Sequence, residues 1–412
     1  MNLEFFIAQR LYGTRKGAHR ISRPAVAIAM WGVAIGAVIM IASICIIVGF
    51  KQQVREKMFG FGGHIQVMGY SSFNSAEAPL TADSTFLAEL GAIDNITHIQ
   101  QYTQKQGLIV ANDEYEGIVI KGVCSDYDLS LIESHLIEGE IPCFNDTVPS
   151  NSIVISQAMA AKLKAKIGDR INIYFLDKGI RARKQTVAAI YNTHLTEFDN
   201  IIAFTDIYTT RSIHDWDSNE SSAIEIHIGD YSRLEQTRDE IKEVAERAAY
   251  RNDETLSIPT IEELNMHMFE WLELLDQTVW LILILVVCIA AFTMVSGLLI
   301  IILEKSNLIG ILKAIGAKDV SIRRIFIYYA CFIIGKGIIF GNIIGLALCY
   351  LQQQFKIVAI DPDMYYMDRV PIGFSWLLVP MNIAMFIISV AVLVLPSMFI
   401  SRIEPTRAIK FE

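Results

Sequence analysis

Two polar residues stand where the surrounding sequence is apolar. Lys336 and Asn342 lie inside the run Ile325–Leu351, which is otherwise almost entirely hydrophobic. A charge near the middle of a bilayer costs about 2.5–3.5 kcal/mol, so such groups face protein or water. Lys336 has three readings: a polar contact between helices, a side chain that snorkels or meets a backbone carbonyl, or a contact for substrate. Gly335-Lys336 is also the nearest approach to a phosphate-binding loop, but Gly337 follows the lysine and no G-x-x-x-x-G-K-[ST] is present. Neither G-x-S-x-G nor H-E-x-x-H occurs. The eight histidines are scattered. With no nucleophile–base pair, no ligand cluster for a metal and no phosphate loop, the chain is read as neither an enzyme nor an ATP-binding protein.

Cysteine offers one further chemistry. Cys45, Cys288, Cys331 and Cys349 fall within long apolar runs and read as small packing residues. Cys124 and Cys143 fall in a polar region, where an oxidising compartment would permit a disulfide. Spacing leaves open whether they are bridged or are two separate thiols.

The most patterned stretch is Glu304–Arg324, EKSNLIGILKAIGAKDVSIRR. Leu308, Ile311, Leu312 and Ile315 recur at i, i+3, i+4 and i+7, one face of a helix. Gly316 is a natural stop. A short amphipathic helix needs an apolar surface, and a groove on a partner protein is the expected one.

The elements that position these residues are membrane spans. The chain of 412 residues is 53% hydrophobic. Pro24–Phe50, Thr278–Leu303, Ile325–Leu351 and Phe374–Ile400 are each long enough to cross a bilayer, which needs roughly 20 apolar residues. In lipid such segments are helices. The fold class is therefore membrane α-helical, with four transmembrane helices and a large mixed α/β extracytoplasmic domain inserted between helices 1 and 2. Gly32 and Gly36 form G-x-x-x-G in the first span, and Gly337, Gly341 and Gly345 extend that spacing in the third; small residues so placed let helices approach closely. The segments are 1–23 (a cytoplasmic amphipathic helix), 24–50, 51–276 (extracytoplasmic), 277–303, 304–324 (cytoplasmic), 325–351, 352–373 (extracytoplasmic), 374–400 and 401–412 (a cytoplasmic tail). The sides follow from Lys and Arg, which cluster in the N-terminal segment, the 304–324 loop and the tail. Residues 51–276 carry 19 basic and 36 acidic side chains, a net −17, and the remainder sums to +8. An acidic outer domain over basic inner loops excludes nucleic acid as a partner.

Within 51–276, Ile96–Val110 and Tyr115–Val123 predict a hairpin around Asn112-Asp113. Arg170–Leu176 and Lys184–Tyr191 predict a second pairing. Tyr231–Tyr250 predicts an amphipathic helix, and Ile261–Leu275 one that runs on into the second span. The length suffices for two lobes.

This arrangement, with E-K-x-x-x-I-G-I-L-K-A-I-G-A between spans two and three, resembles permeases of the FtsX/MacB type. Lys121-Gly122-Val123, read as a turn, Glu138-Gly139, Asp361-Pro362, Tyr365-Tyr366, Val370-Pro371 and Ile403–Ile409 resemble the lipoprotein-releasing branch, the LolC/LolE type. The carrier-recruiting hairpin of LolC-type members would fall at Asp177–Arg183, which is short and lacks Pro, so the chain looks more like the LolE partner or a homodimeric version with a reduced hook. The resemblance implies a MacB-like periplasmic domain in a bacterial inner-membrane protein with both termini cytoplasmic. It implies a partner ABC ATPase dimer that binds ATP and Mg in place of any cofactor on this chain, and a second permease subunit, identical or not. Lipid-anchored lipoproteins would be extracted from the outer leaflet and passed to a periplasmic carrier. Glu304, Lys305, Leu308, Ile309, Gly310, Ile311, Leu312, Lys313, Ala314, Ile315, Gly316 and Ala317 would couple to the ATPase. Within the same superfamily the alternatives are efflux or activation of a cell-wall hydrolase; a membrane-anchored binding or sensor protein is the alternative outside it.

Overall fold

The computed structural model describes residues 3–13, 22–70, 79–112, 114–176 and 179–397. The tail Ile403–Ile409, the cations Arg15, Lys16 and Arg20, and Asp177 and Lys178 of the segment Asp177–Arg183 lie outside them. The helices that matter below are α1 (Leu3–Gly13), α2 (Ser22–Gly62), α3 (Ser84–Gly91), α4 (Gln157–Leu163), α5 (Ile207–His214), α6 (Leu234–Asn252), α7 (Met266–Glu304), α8 (Ser306–Ala314), α9 (Asp319–Phe355) and α10 (Leu378–Val392). The strands are β1 (Ile65–Gly69), β2 (Leu80–Thr81), β3 (Ile96–Ala111), β4 (Glu114–Val123), β5 (Leu136–Gly139), β6 (Ser152–Ser156), β7 (Arg170–Leu176), β8 (Ile180–Tyr191), β9 (Ile202–Asp206), β10 (Glu220–Ser221), β11 (Ala223–Ile228) and β12 (Leu256–Ser257).

The chain divides into two units. One holds Met1–Gln52, Trp271–Ala359 and Arg369–Glu412; the other holds Gln53–Glu270 and Ile360–Asp368. The boundary falls inside α2 and inside α7, so each of these helices belongs partly to both.

The first unit is helical. Val26–Gly62, Met266–Glu304 and Asp319–Phe355 are long and apolar enough to cross a membrane. The run expected as a fourth span yields a shorter helix, the 15-residue α10. Pro396 accounts for its end, because its ring clashes with the carbonyl four residues back, that of Val392. A short Val394–Ser397 turn follows. The core joins Val33, Ala37, Met40 and Ile44 of α2 to Met294 and Leu298 of α7, Ile325, Ile333 and Ile334 of α9 and Met385 of α10. Ala8 of α1 is buried in the same core, and Phe5 packs against Tyr328 and Phe332 of α9.

The second unit is built on a ten-stranded sheet in the order β12-β1-β11-β3-β4-β9-β6-β8-β5, with β7 pairing both β3 and β8. That double pairing closes a ring: β3, β4, β9, β6, β8 and β7 each pair with the next, and β7 returns to β3. The ring is filled by Ile109, Ile118, Ile153, Ile171, Phe175 and Val187, with Met159 and Leu163 of α4 packed among them. A second core lies where β1 and β11 extend the sheet, with Phe86 and Leu90 of α3 and Ile241 and Val244 of α6. β3 serves both lobes because its 16 residues pair with β11 at one end and β7 at the other.

Asn112, with φ of +50°, turns β3 into β4, a conformation Asn tolerates. Two readings are corrected. Lys121-Gly122-Val123 is not a turn but the end of β4, and Gly122 suits it because a methyl there would run into the Thr210 side chain of α5. The helix before α7 does not run through: Ile261–Leu264 is one turn, opened by a Thr260–Glu263 capping box, and Asn265 separates it from α7.

Candidate functional site

The segment after α7 folds as the short helix α8 because it has one side to bury. Ile309 is fully buried in the helical core, Gly310 is buried beside it, and Leu312 and Ala317 pack against the same cluster. Gly316, at φ +94°, lets the chain leave the helix: its N–H donates to Lys313 O at 2.9 Å, and Ala317 N–H donates to Leu312 O at 2.9 Å. This is the Schellman pair, with Leu312 and Ala317 as its hydrophobic contact. Lys313 Nζ lies 3.0 Å from Asp319 Oδ1, a carboxylate in the first turn of α9, where the helix dipole favours it. Glu304 closes α7 with one oxygen 3.4 Å from Lys305 Nζ; its other oxygen is buried and has no hydrogen-bond partner among the described residues.

The four residues that sequence spacing puts on one face are therefore divided. Leu312 turns inward with Ile309, and Leu308 is half-buried. Ile311 is 49% exposed and Ile315 79%, with Ala314 and Gly316 exposed between and beyond them. The free apolar face is narrower than the period suggests, and its helix is tied to α9 at the C-terminal end by Lys313 and Asp319.

The glycines of the spans meet specific surfaces. A methyl group on Gly337 would lie 2.8 Å from Met30 O, and one on Gly341 would lie 2.6 Å from both Ala34 O and Ala37 Cβ. One on Gly345 would meet Ile41 Cδ1 at 3.2 Å. The α9 stripe thus lies directly on α2. Gly32 faces Thr293 of α7, while Gly36 faces Ala290 of α7 and Met385 of α10. The two motifs do not meet each other: the α9 motif meets α2, and the α2 motif meets α7 and α10.

Asn342 Nδ2 donates to Asn382 Oδ1 of α10 and to Ile338 O, both at 2.8 Å, while Asn382 Nδ2 donates to Leu378 O. Asn382 is a partner that sequence reasoning missed, although it is a polar residue within an apolar run. Lys336, six residues before Asn342, is exposed on α9.

Cys124 and Cys143 are not joined. The Cys124 thiol donates to Gln101 O at 3.2 Å, and burial followed by Asp126 pushes it up to about 12; Cys143 is exposed. An unread site lies nearby. Lys121 Nζ of β4 is 2.6 Å from Glu225 Oε1 of β11 and donates to Phe61 O in the last turn of α2 at 2.6 Å. Glu225 also accepts from Gln100 Nε2 at 2.8 Å and Tyr127 Oη at 2.7 Å and has no exposed surface. Burial holds the Lys121 ammonium below its usual range, with Glu225 opposing, and burial with Glu225 raises the Tyr127 phenol. The network ties the end of α2 to the sheet.

Among known proteins, the MacB-like periplasmic core domain matches residues 26–244 and the FtsX-like permease C-terminal domain matches residues 280–405. The lipoprotein-releasing system transmembrane protein LolC of Neisseria meningitidis serogroup B is 22% identical over 407 residues, 92% of either chain. LolE of Haemophilus influenzae is 19% identical over 427 residues, 99% of either chain. The extracellular domain of the ABC-type transporter YknZ from Gram-positive bacteria aligns at 15% identity and a TM-score of 0.35, covering 48% of this chain and 98% of that one.

Proposed function

Because the chain belongs to the MacB-like periplasmic core domain family, we propose that it is the permease subunit of an ATP-driven complex that extracts lipid-anchored proteins from a membrane leaflet and passes them to a soluble carrier. In this reading α2, α7, α9 and α10 all span the inner membrane, residues 51–276 are periplasmic, and both termini are cytoplasmic. A separate ATPase dimer binds ATP and Mg and hydrolyses the nucleotide. A second permease subunit completes the transporter, and this chain binds no cofactor of its own.

The energetics call for such a machine. Each buried CH₂ contributes roughly 0.8 kcal/mol, so three long acyl chains hold by on the order of 30 kcal/mol, and unaided release is negligibly slow. Work must enter from a coupled source and reach the other side of the membrane.

The observation that carries the proposal is the division of α8. Ile309 anchors it, and Ile311 and Ile315 project from a fixed base. A helix that only covered the core would not leave Ile311 49% and the cap residue Ile315 79% exposed. An amphipathic helix offering such anchors fits a groove on a partner, with Glu304 and Lys305 at the rim. The test is Ile315→Asp, which touches the free face and leaves Ile309 and Leu312 in place. The expected result is loss of a co-purifying nucleotide-hydrolysing subunit from membranes and loss of acylated-protein transfer in a reconstituted system. Undiminished co-purification and transfer would overturn the reading.

A further inference from the structure

The contact between α2 and α9 does not stop at Gly345. Four residues further along α9 stands Cys349, and four residues beyond Ile41 on α2 stands Cys45. Each is the next rung of the stripe in which Gly337, Gly341 and Gly345 lie on Met30, Ala34, Ala37 and Ile41. Cys45 and Cys349 share an apolar cluster with Ile41, against which Ile372 and Leu378 pack. They are 0% and 3% exposed, and both are buried in that one cluster. The segment after α9 covers them: Gly373 N–H donates to Cys45 O at 2.8 Å, and Gly373 lies against Gly49.

Helix geometry supports a bond between them. Packed helices stand about 8–10 Å apart, depending on the side chains at the contact. With Cα atoms at a radius of about 2.3 Å, facing Cα atoms come within about 3.4–5.4 Å. A disulfide needs about 4.4–6.8 Å, so the two ranges overlap. The glycine contacts hold the two backbones in place, so closure needs only side-chain rotation.

We infer that Cys45 and Cys349 form a redox-closable clasp, a dithiol that a small disulfide oxidant converts into an intramolecular bridge between α2 and α9. In the first step one thiol, as its thiolate, attacks a sulfur of the oxidant; its S–H bond and the oxidant's S–S bond break, and one small thiol leaves. In the second step the other cysteine attacks that mixed disulfide, the Cys45–Cys349 bond forms, and the second small thiol leaves. Two S–H bonds are lost from the protein and two are gained by the leaving thiols, and the pair of electrons passes to the oxidant. The bridge would lock α2 and α9 against sliding along their shared stripe.

The test uses the full chain in membranes, treated with the membrane-permeant oxidant dithiodipyridine, then denatured, digested and analysed by mass spectrometry. Cys143 and Cys288 are exposed and serve as the internal control for reagent access, each taking a pyridyl adduct. The expected product is one peptide pair joined through Cys45 and Cys349, two hydrogens lighter than the separate peptides. In C45S, Cys349 has no partner and is expected to retain the pyridyl adduct; the wild-type digest decides the matter alone should that variant fail to fold. Separate adducts on Cys45 and Cys349, linkage of either to another cysteine, or both remaining thiols while Cys143 and Cys288 are modified would each overturn the inference.

Discussion

Replacing Gly341 by alanine probes the α2–α9 contact most directly, because α9 carries its own control at Gly335. A methyl group at position 341 arrives 2.6 Å from Ala34 O and 2.6 Å from Ala37 Cβ, whereas at position 335 nothing lies within 4 Å. Carbon contacts are at their best near 3.5–4.0 Å, so the helices must separate by roughly 1 Å. Neither neighbour can rotate away, since one is backbone and the other a Cβ. Overpacking of this kind costs about 1–3 kcal/mol. Alanine returns about 1 kcal/mol of helix propensity over glycine, and this gain is common to both sites. Gly335→Ala is therefore expected to be neutral or stabilising by up to about 1 kcal/mol, and Gly341→Ala to fall about 1–3 kcal/mol below it. Gly345→Ala should lie between, because its neighbour at 3.2 Å is the mobile end of Ile41. Thermal unfolding of the purified chain in one detergent, all variants side by side, reads the order. If Gly341→Ala melts at or above Gly335→Ala, the glycine stripe is not the surface on which these helices meet.

Three further outcomes follow from the same reasoning. Lys121→Met strands the Glu225 carboxylate, which has no exposed surface, and should destabilise the chain by about 3–5 kcal/mol. Adding Glu225→Gln should recover part of that loss, and additive losses in chemical denaturation would refute the pairing. His64, held down at about 4 by burial and by His227, accepts the Ile228 N–H at 3.3 Å on Nδ1 while neutral. Its folded value is depressed, so its contribution is full above its ordinary value near 6.5 and is lost as the pH falls toward 4. His64→Gln should flatten the pH dependence of unfolding in that window, and an unchanged profile would contradict this. A double-mutant cycle of Asn342→Leu and Asn382→Leu should give a coupling of about 0.6 kcal/mol, typical of hydrogen bonds between membrane helices, and zero coupling would remove the contact.

Much of this was readable from local pattern. Long apolar runs must be helical in lipid whatever they pack against, so α2, α7 and α9 follow from composition. Asn112 marks a hairpin because its own backbone preference, and not a distant contact, makes the turn. α8 was legible as an amphipathic helix, and its stop at Gly316 needs only a residue at ease with positive φ. Which of its apolar residues faces the core was not, because Ile309 is selected by the surface that α9 and its neighbours provide. Lys121 and Glu225 illustrate the same limit: a lysine at a strand end reads as exposed until two strands and the end of α2 close over it.

The sequence by itself determined the class of molecule, its apolar helices, its acidic middle and the one patterned loop, because periodicity, charge and length act over a few neighbouring residues. Only the tertiary structure decided which partners those residues meet. The ring of strands closed by β7, the split face of α8, the Asn342–Asn382 bond and the burial of Cys45 and Cys349 in one cluster all depend on segments far apart in the chain. Such pairings are fixed by shape and burial summed over a whole core, and no local run of residues carries that sum.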